Sequence, residues 1–138
     1  MKYLILLLFI LFVIPIYSQD YEDAKRLSNL EYMKMVKNSD CENQSGTSIE
    51  QKICLNLKFK KVDSILNKRF ITYLKKVKND TLKSKIKLYH KEWVLNRRMQ
   101  SEIFCEGLNS NALGIYYLWS MVNSTELRIK EIELLIQN

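Results

Sequence analysis

Hydrophobic residues recur with a helical period along most of the chain. On a helical wheel of about 100° per residue, the apolar positions of residues 57–78 fall within a narrow arc, and lysines occupy the far side. Those positions are Val62, Leu66, Phe70, Tyr73 and Val77. Residues 82–104 carry a second stripe, formed by Leu82, Ile86, Tyr89, Trp93, Arg97, Gln100 and Phe104. The pattern predicts two long amphipathic helices.

The connections between these segments predict how the helices are arranged. Only Asn79-Asp80-Thr81 separates the two, with Asp80 or Thr81 able to cap the second helix. So short a connection favours an antiparallel hairpin whose stripes face each other. The pattern also predicts a short helix over 22–37 and a last helix over about 112–136. The last helix is built on Ile115, Trp119, Val122, Ile129, Ile132 and Ile136.

The scarcity of helix breakers supports an all-α fold. The chain has three glycines and one proline, and that proline lies at position 15. After residue 18, therefore, no proline ring interrupts a helix. The sequence predicts a small helical bundle, built on the hairpin and the C-terminal helix, with a short N-terminal helix and one disulfide-closed loop.

Residues 1–18 have the pattern of a signal peptide. Lys2 precedes a run from Tyr3 to Tyr17 that is almost wholly apolar, and Ser18 offers a small residue for cleavage. The run is too short for a membrane anchor with margin, and no nearby cysteine could carry a lipid. We expect an exported bacterial protein, periplasmic or secreted and not lipid-anchored. Its N-terminal helical extension would cover 19–39 and its main domain 40–138.

The three cysteines predict one disulfide. In an exported chain, Cys41 and Cys54 would close a polar loop with twelve residues between them. The chain-entropy estimate for such a loop is on the order of 3 kcal/mol. Cys105 is left over, either as a buried thiol or as a partner for another molecule.

Arg97 is the unusual member of its stripe, because a charged residue occupies a position that should be buried. A buried guanidinium needs a carboxylate or several carbonyl partners. Asp63, at the edge of the preceding helix's stripe, is the natural partner. The pair either fixes the register of the two helices or forms an exposed anchor at one end of a groove. We favour the structural role, because such networks are more often architectural.

The positive charge is concentrated in the middle of the chain. The formal net charge is +7, and twelve Lys and Arg residues between 58 and 91 face only Asp63 and Asp80. This segment is either a solvated lysine face or a surface for an anionic envelope polymer or lipid. The candidate surface comprises Lys61, Lys68, Lys75, Lys83, Lys87 and Lys91. We do not expect a nucleic-acid partner.

Catalytic signatures are missing from the sequence. His90 is the single histidine, and the cysteine spacing does not suit a zinc site. The sequence contains neither a glycine-rich phosphate loop nor a nucleophile elbow. It therefore predicts a binding protein, not an enzyme, with no catalytic residue, cofactor or metal.

Several short motifs together carry a family resemblance. They are Asp40-Cys41, Ile49-Glu50, Ile53-Cys54, Asp63, Leu66-Asn67 and Phe70, then Trp93 with Arg97, then Thr125 with Arg128. In this order, over about residues 40–136, they resemble the lysozyme inhibitor LprI-like family. The resemblance implies a small exported helical protein that inhibits lysozyme in some members. It also implies a structural or a binding role for Asp63, Asn67, Trp93, Arg97, Thr125 and Arg128.

Two departures from the family pattern change what is expected. The family commonly has a second cysteine pair, but Ser120 occupies one of its places and Cys105 lies one turn later than expected after Trp93. We therefore expect no second disulfide.

Animal lysozymes are basic, so the positive charge of this chain opposes their long-range association. Inhibition could still work through an acidic local patch, for example Glu102, Glu106 and Glu126.

Overall fold

The computed structural model describes residues 22–43 and 45–137, so the predicted signal peptide lies outside the described residues. A short helix α1 (Asp23–Ser28) and a 3-10 helix (Glu31–Asn38) precede the long helices α2 (Ser48–Lys76), α3 (Asp80–Phe104) and α4 (Ser110–Gln137). No strand occurs in this described part, and the predicted all-α bundle is confirmed. None of the described helices is long and apolar enough to cross a membrane.

Side chains of loop residues cap two of the long helices. Thr47 Oγ1 accepts a hydrogen bond from the Glu50 amide at the start of α2, and Asn79 Oδ1 accepts one from the Leu82 amide at 2.8 Å at the start of α3. The expected cap at Asp80 or Thr81 is wrong, because Asp80 is already helical and the cap residue must precede the first turn.

The hydrophobic core lies mainly between α2 and α4. Phe59 and Val62 of α2 pack against Leu118, Met121 and Val122 of α4. Leu27 of α1 joins the same cluster. The C-terminal helix therefore packs more closely on α2 than on α3, its neighbour in sequence.

Trp119 is not part of that core. It was expected to hold the last helix, but its side chain is 49% exposed. Leu118 and Met121, one residue before it and two after, take the inner positions instead. The other members of the predicted stripe are buried or half-buried, so the prediction fails at Trp119 alone: Ile115, Val122, Ile129, Ile132 and Ile136.

The stripe of α3 is buried only in its middle. Within the stripe, Arg97 is buried and Ile86 and Trp93 are half-buried, whereas four members are exposed: Leu82, Tyr89, Gln100 and Phe104. The prediction that the whole stripe faces the hairpin partner is wrong at these positions. The contacts between α3 and α2 are made by long side chains, such as Arg97 on Asp63 and His90 on Phe70, and the two backbones do not approach closely.

The N-terminal segment forms two short helices where one was predicted. A break at Asn29 and Leu30 separates α1 from the 3-10 helix. The apolar residues of this segment recur at steps of three, which suits the three residues per turn of a 3-10 helix. Asn56 Nδ2 ties the segment to α2 by donating to the Leu27 carbonyl at 2.8 Å and to the Tyr32 hydroxyl at 3.2 Å.

The predicted disulfide is present and the second one is absent. Cys41 and Cys54 are bonded, and Cys105 is a buried free thiol whose pKa is raised by burial. One turn before Cys105, the Ser101 hydroxyl donates to the Ser120 hydroxyl at 3.0 Å, with both side chains buried. A hydrogen bond thus links α3 and α4 where the family resemblance implies a disulfide.

Candidate functional site

A buried arginine joins four helices at the centre of the bundle. Nη1 of Arg97 donates to Asp63 Oδ1 of α2 and to Thr125 Oγ1 of α4, both at 2.8 Å. Nη2 donates to Asp23 Oδ2 of α1 at 2.7 Å. The Arg97 side chain is only 1% exposed, so these bonds replace water at Nη1 and Nη2, whereas the buried Nε has no hydrogen-bond partner within the described residues. The predicted contact between Arg97 and Asp63 is present.

Asp23 was not among the predicted site residues. Its fully buried carboxylate accepts from Arg97, from Nε of Arg98, and from Nη2 of Arg26 at 3.3 Å. Asp23 lies four residues before Leu27 and so shares the inner face of α1. A carboxylate on the apolar face of a short helix was the available signal, but nothing in the sequence pointed to its distant partners.

Aromatic rings enclose the two buried arginines. Phe59 and Trp93 lie over the Arg97 guanidinium, with ring centroids 4.9 and 5.2 Å from its central carbon. Arg128 lies over Trp93 and Tyr89 at 5.5 and 4.9 Å, so Trp93 contacts both cations. Such contacts are favourable and gain strength when the cation is desolvated.

The motif residues of α3 and α4 thus form one network. Thr125 accepts from Arg97 and donates to the Met121 carbonyl at 2.7 Å. Arg128 donates through Nη1 to Glu131 Oε2 at 2.6 Å. Asn67 is the motif residue outside this network: it is exposed, and it lines a cleft of about 360 Å³ next to Asp63.

The network residues are arranged to hold the helices together. Asp63, Trp93, Arg97, Thr125 and Arg128 are buried or half-buried, and Asp63 and Arg97 line the same cleft as Asn67. Within the described ranges, no three residues among His, Cys, Asp and Glu are placed to hold a metal ion. This geometry supports a structural role for the motif residues. A binding role for them stays a prediction.

His90 is held neutral inside the same layer. Its ring stacks on Phe70 with centroids 3.8 Å apart, and it is 8% exposed. Burial, followed by the nearby charges of Arg128 and Arg97, lowers the pKa of His90 to about 4. An uncharged imidazole suits this position near the charges of Arg128 and Arg97.

The candidate lysine surface is only partly exposed. Lys61, Lys68 and Lys75 lie seven residues apart on one exposed face of α2, and Lys87 of α3 is also exposed. Lys83 and Lys91 are half-buried, and Lys83 Nζ lies 3.4 Å from Asp80 Oδ1. The exposed part of the surface is therefore the row on α2, with Lys87 on the neighbouring helix.

The loop closed by the disulfide is organised by two carboxylates. Asp40 Oδ1 accepts from the amides of Glu42 and Asn43, at 2.9 and 3.1 Å. Glu50 accepts from the amide and hydroxyl of Ser45 and from the Asp40 amide. Hydrogen bonds from Asn43 and from Ser45, respectively, are the main causes that lower the pKa values of Asp40 and Glu50. These two acids explain why the loop motif combines acidic residues with cysteines.

A family model described as lysozyme inhibitor LprI matches residues 40–132, which is more than half of the chain. The chain belongs to the lysozyme inhibitor LprI family. The match contains the disulfide, Asp63, Arg97 and Thr125, whereas Asp23 lies before its first residue. Neither the curated proteins nor the solved structures provide a significant match. In this LprI family member, a segment outside the family match thus completes the buried network.

We predict that Asp23→Asn strongly destabilises the protein. The change keeps the shape but removes the charge that Arg97 and Arg98 share, and breaking a buried ion pair in this way costs about 3–5 kcal/mol. Urea unfolding followed by circular dichroism measures the loss. The control is Asp80→Asn, because the Asp80 side chain is 93% exposed and its loss should stay within about 0.5 kcal/mol. A loss below about 1 kcal/mol for Asp23→Asn would contradict a central role for Asp23.

We also predict that His90 makes the protein sensitive to acid. Its pKa is about 4 in the folded state, against 6.5 for the unperturbed group. The unfolded chain therefore binds the proton more readily, and stability falls as the pH drops from about 6.5 towards 4. His90→Phe and His90→Gln cannot titrate, so their urea midpoints should change less between pH 7 and pH 4.5 than that of the wild type. Equal changes in all three proteins would exclude His90 as the cause.

Proposed function

We propose that this protein is an exported lysozyme inhibitor that acts by binding. The observation that carries the proposal is the LprI family match over residues 40–132. The Cys41–Cys54 disulfide supports export, because such bonds persist in oxidising compartments outside the cytoplasm. In this proposal the protein is not an enzyme, and its partner is a lysozyme-type glycosidase.

The buried network supports this function indirectly. A protein inhibitor binds more tightly when its surface is already ordered, because less conformational freedom is lost on association. Arg97 connects α1, α2 and α4 to α3, and the disulfide fixes the loop to the start of α2. In this proposal the motif residues hold the helices in fixed positions, and exposed residues elsewhere contact the enzyme.

The test is a turbidity assay of lysozyme on bacterial cell walls with the purified protein in excess. We expect slower clearing than with an unrelated basic helical protein of similar size, which controls for non-specific binding to the walls. The assay is run at low and at moderate salt, because the net positive charge of the chain opposes association at low salt. Undiminished lysis in both conditions would rule out lysozyme inhibition.

A second candidate function is binding to an anionic envelope surface. The observation that favours it is the exposed row of Lys61, Lys68 and Lys75 on α2, none of which forms an ion pair within the described part of the chain. At 1.5 Å per residue, the row extends over about 21 Å. A row of unpaired cations attracts an anionic polymer or headgroup surface.

Co-sedimentation with anionic lipid vesicles tests the second candidate. We expect binding at low salt that weakens as salt is added, and a large loss of binding when Lys61, Lys68 and Lys75 are all changed to Gln. Changing Lys25, Lys37 and Lys130 to Gln removes the same charge elsewhere and should have a smaller effect. If the wild type does not bind at low salt, or if both triple variants behave alike, the row only keeps the protein soluble.

A further inference from the structure

One end of the bundle differs in charge from the rest of the chain. Residues 99–127 contain no Lys or Arg and three glutamates, a net charge of −3, in a chain of net charge +7. This stretch comprises the last turns of α3, the turn that follows, and the first half of α4. We call this segment the acidic end of the bundle. Cations of other helices contact it, because Lys52 Nζ donates to Asn111 Oδ1 at 3.0 Å and Arg26 Nη2 donates to the Tyr117 hydroxyl at 2.9 Å.

The acidic end also exposes a group of large apolar side chains. Ile103 and Phe104 of α3 are 65% and 51% exposed, and Tyr116 and Trp119 of α4 are 48% and 49% exposed. The Phe104 ring lies 5.7 Å from that of Trp119 and 6.3 Å from that of Tyr116, so these three rings form one continuous surface. Exposed apolar surface of this kind marks interaction sites, and Trp and Tyr are the residues most enriched at interface hot spots.

The carboxylates at this end divide into two groups. Glu126 forms an ion pair with Lys58 of α2 at 3.1 Å, so the expected patch of three acids is reduced by one. Glu102 and Glu106 are exposed and have no ion pair within the described ranges. They leave the aromatic end with a negative charge that a basic partner could match.

The acidic end lies far from the lysine-rich turn between α2 and α3. The 25 residues of α3 connect the two ends, which corresponds to about 37 Å at 1.5 Å per residue. At physiological salt the screening length is about 8 Å. The lysines near residues 75–78 therefore barely repel a molecule that touches the acidic end, and the separation of charge orients a basic partner towards it.

We propose that the acidic end, with Phe104, Tyr116 and Trp119 as anchors and the carboxylates of Glu102 and Glu106 on the same segment, docks the basic surface of a lysozyme-type enzyme. The inference rests on the proposed function for the identity of the partner. It resolves the conflict between a basic chain and a basic partner, because contact occurs where the chain is locally acidic. Aromatic anchors would supply most of the affinity, and the two carboxylates would orient the approach.

The test measures binding separately from inhibition. Calorimetric titration with an animal lysozyme compares the wild type with the double variant Tyr116→Ala and Trp119→Ala. We expect the Kd to rise at least tenfold in the double variant. The matched control is Leu88→Ala, which removes an apolar side chain that is 60% exposed in the lysine-rich half of α3, and its Kd should not change. Circular dichroism melting confirms that each variant is folded.

A charge variant keeps the proposal testable if the aromatic variant does not fold. Glu102→Gln with Glu106→Gln should lower the association rate, whereas Asp80→Asn at the opposite end of α3 should not. Unchanged binding in the aromatic and charge variants would overturn the docking surface while leaving lysozyme inhibition in place. Binding at this end without slower lysis would overturn inhibition but keep the surface. If the wild type does not bind lysozyme in the titration, the docking proposal is overturned. If lysis is undiminished in the turbidity assay, the proposed inhibition is overturned.

Discussion

The ion pair between Asp23 and Arg97 is the interaction on which the rest of the structure depends. Removing a guanidinium from water is strongly unfavourable unless all its partners are in place. Here those partners come from α1, α2 and α4, while Arg97 itself belongs to α3. No pair of helices can bury this charge alone. The requirement couples the four elements, so the short N-terminal helix is an integral part of the bundle.

The parts of the site that depend on local residue spacing could be predicted from the sequence. The Arg97–Asp63 contact followed from a charge on an apolar stripe opposite a second stripe, and the disulfide followed from the cysteine spacing. Asp23 was missed because its contact with Arg97 spans 74 residues. The exposure of Trp119 was missed for a related reason: a wheel shows that a face is apolar, but the neighbouring helices decide which apolar face is covered.

The family motifs and the proposed recognition surface lie in different layers of the molecule. Motif residues such as Arg97 and Thr125 are buried and hold the helices together. The exposed aromatic rings of the acidic end belong to no motif that the sequence analysis identified. Members of a family built in this way can share a scaffold while presenting different surfaces, so membership describes the framework more directly than the partner.

The serine pair between α3 and α4 has a consequence for behaviour under reducing conditions. Ser101 and Ser120 contact each other through a hydrogen bond, and Cys105 is a free thiol. Thiol reagents can therefore break only the Cys41–Cys54 bond, which frees the polar loop but leaves the helix contacts unchanged. Reduction therefore lowers the stability of the protein by the loop-closure contribution, on the order of 3 kcal/mol, while the contacts between the long helices do not themselves depend on a disulfide.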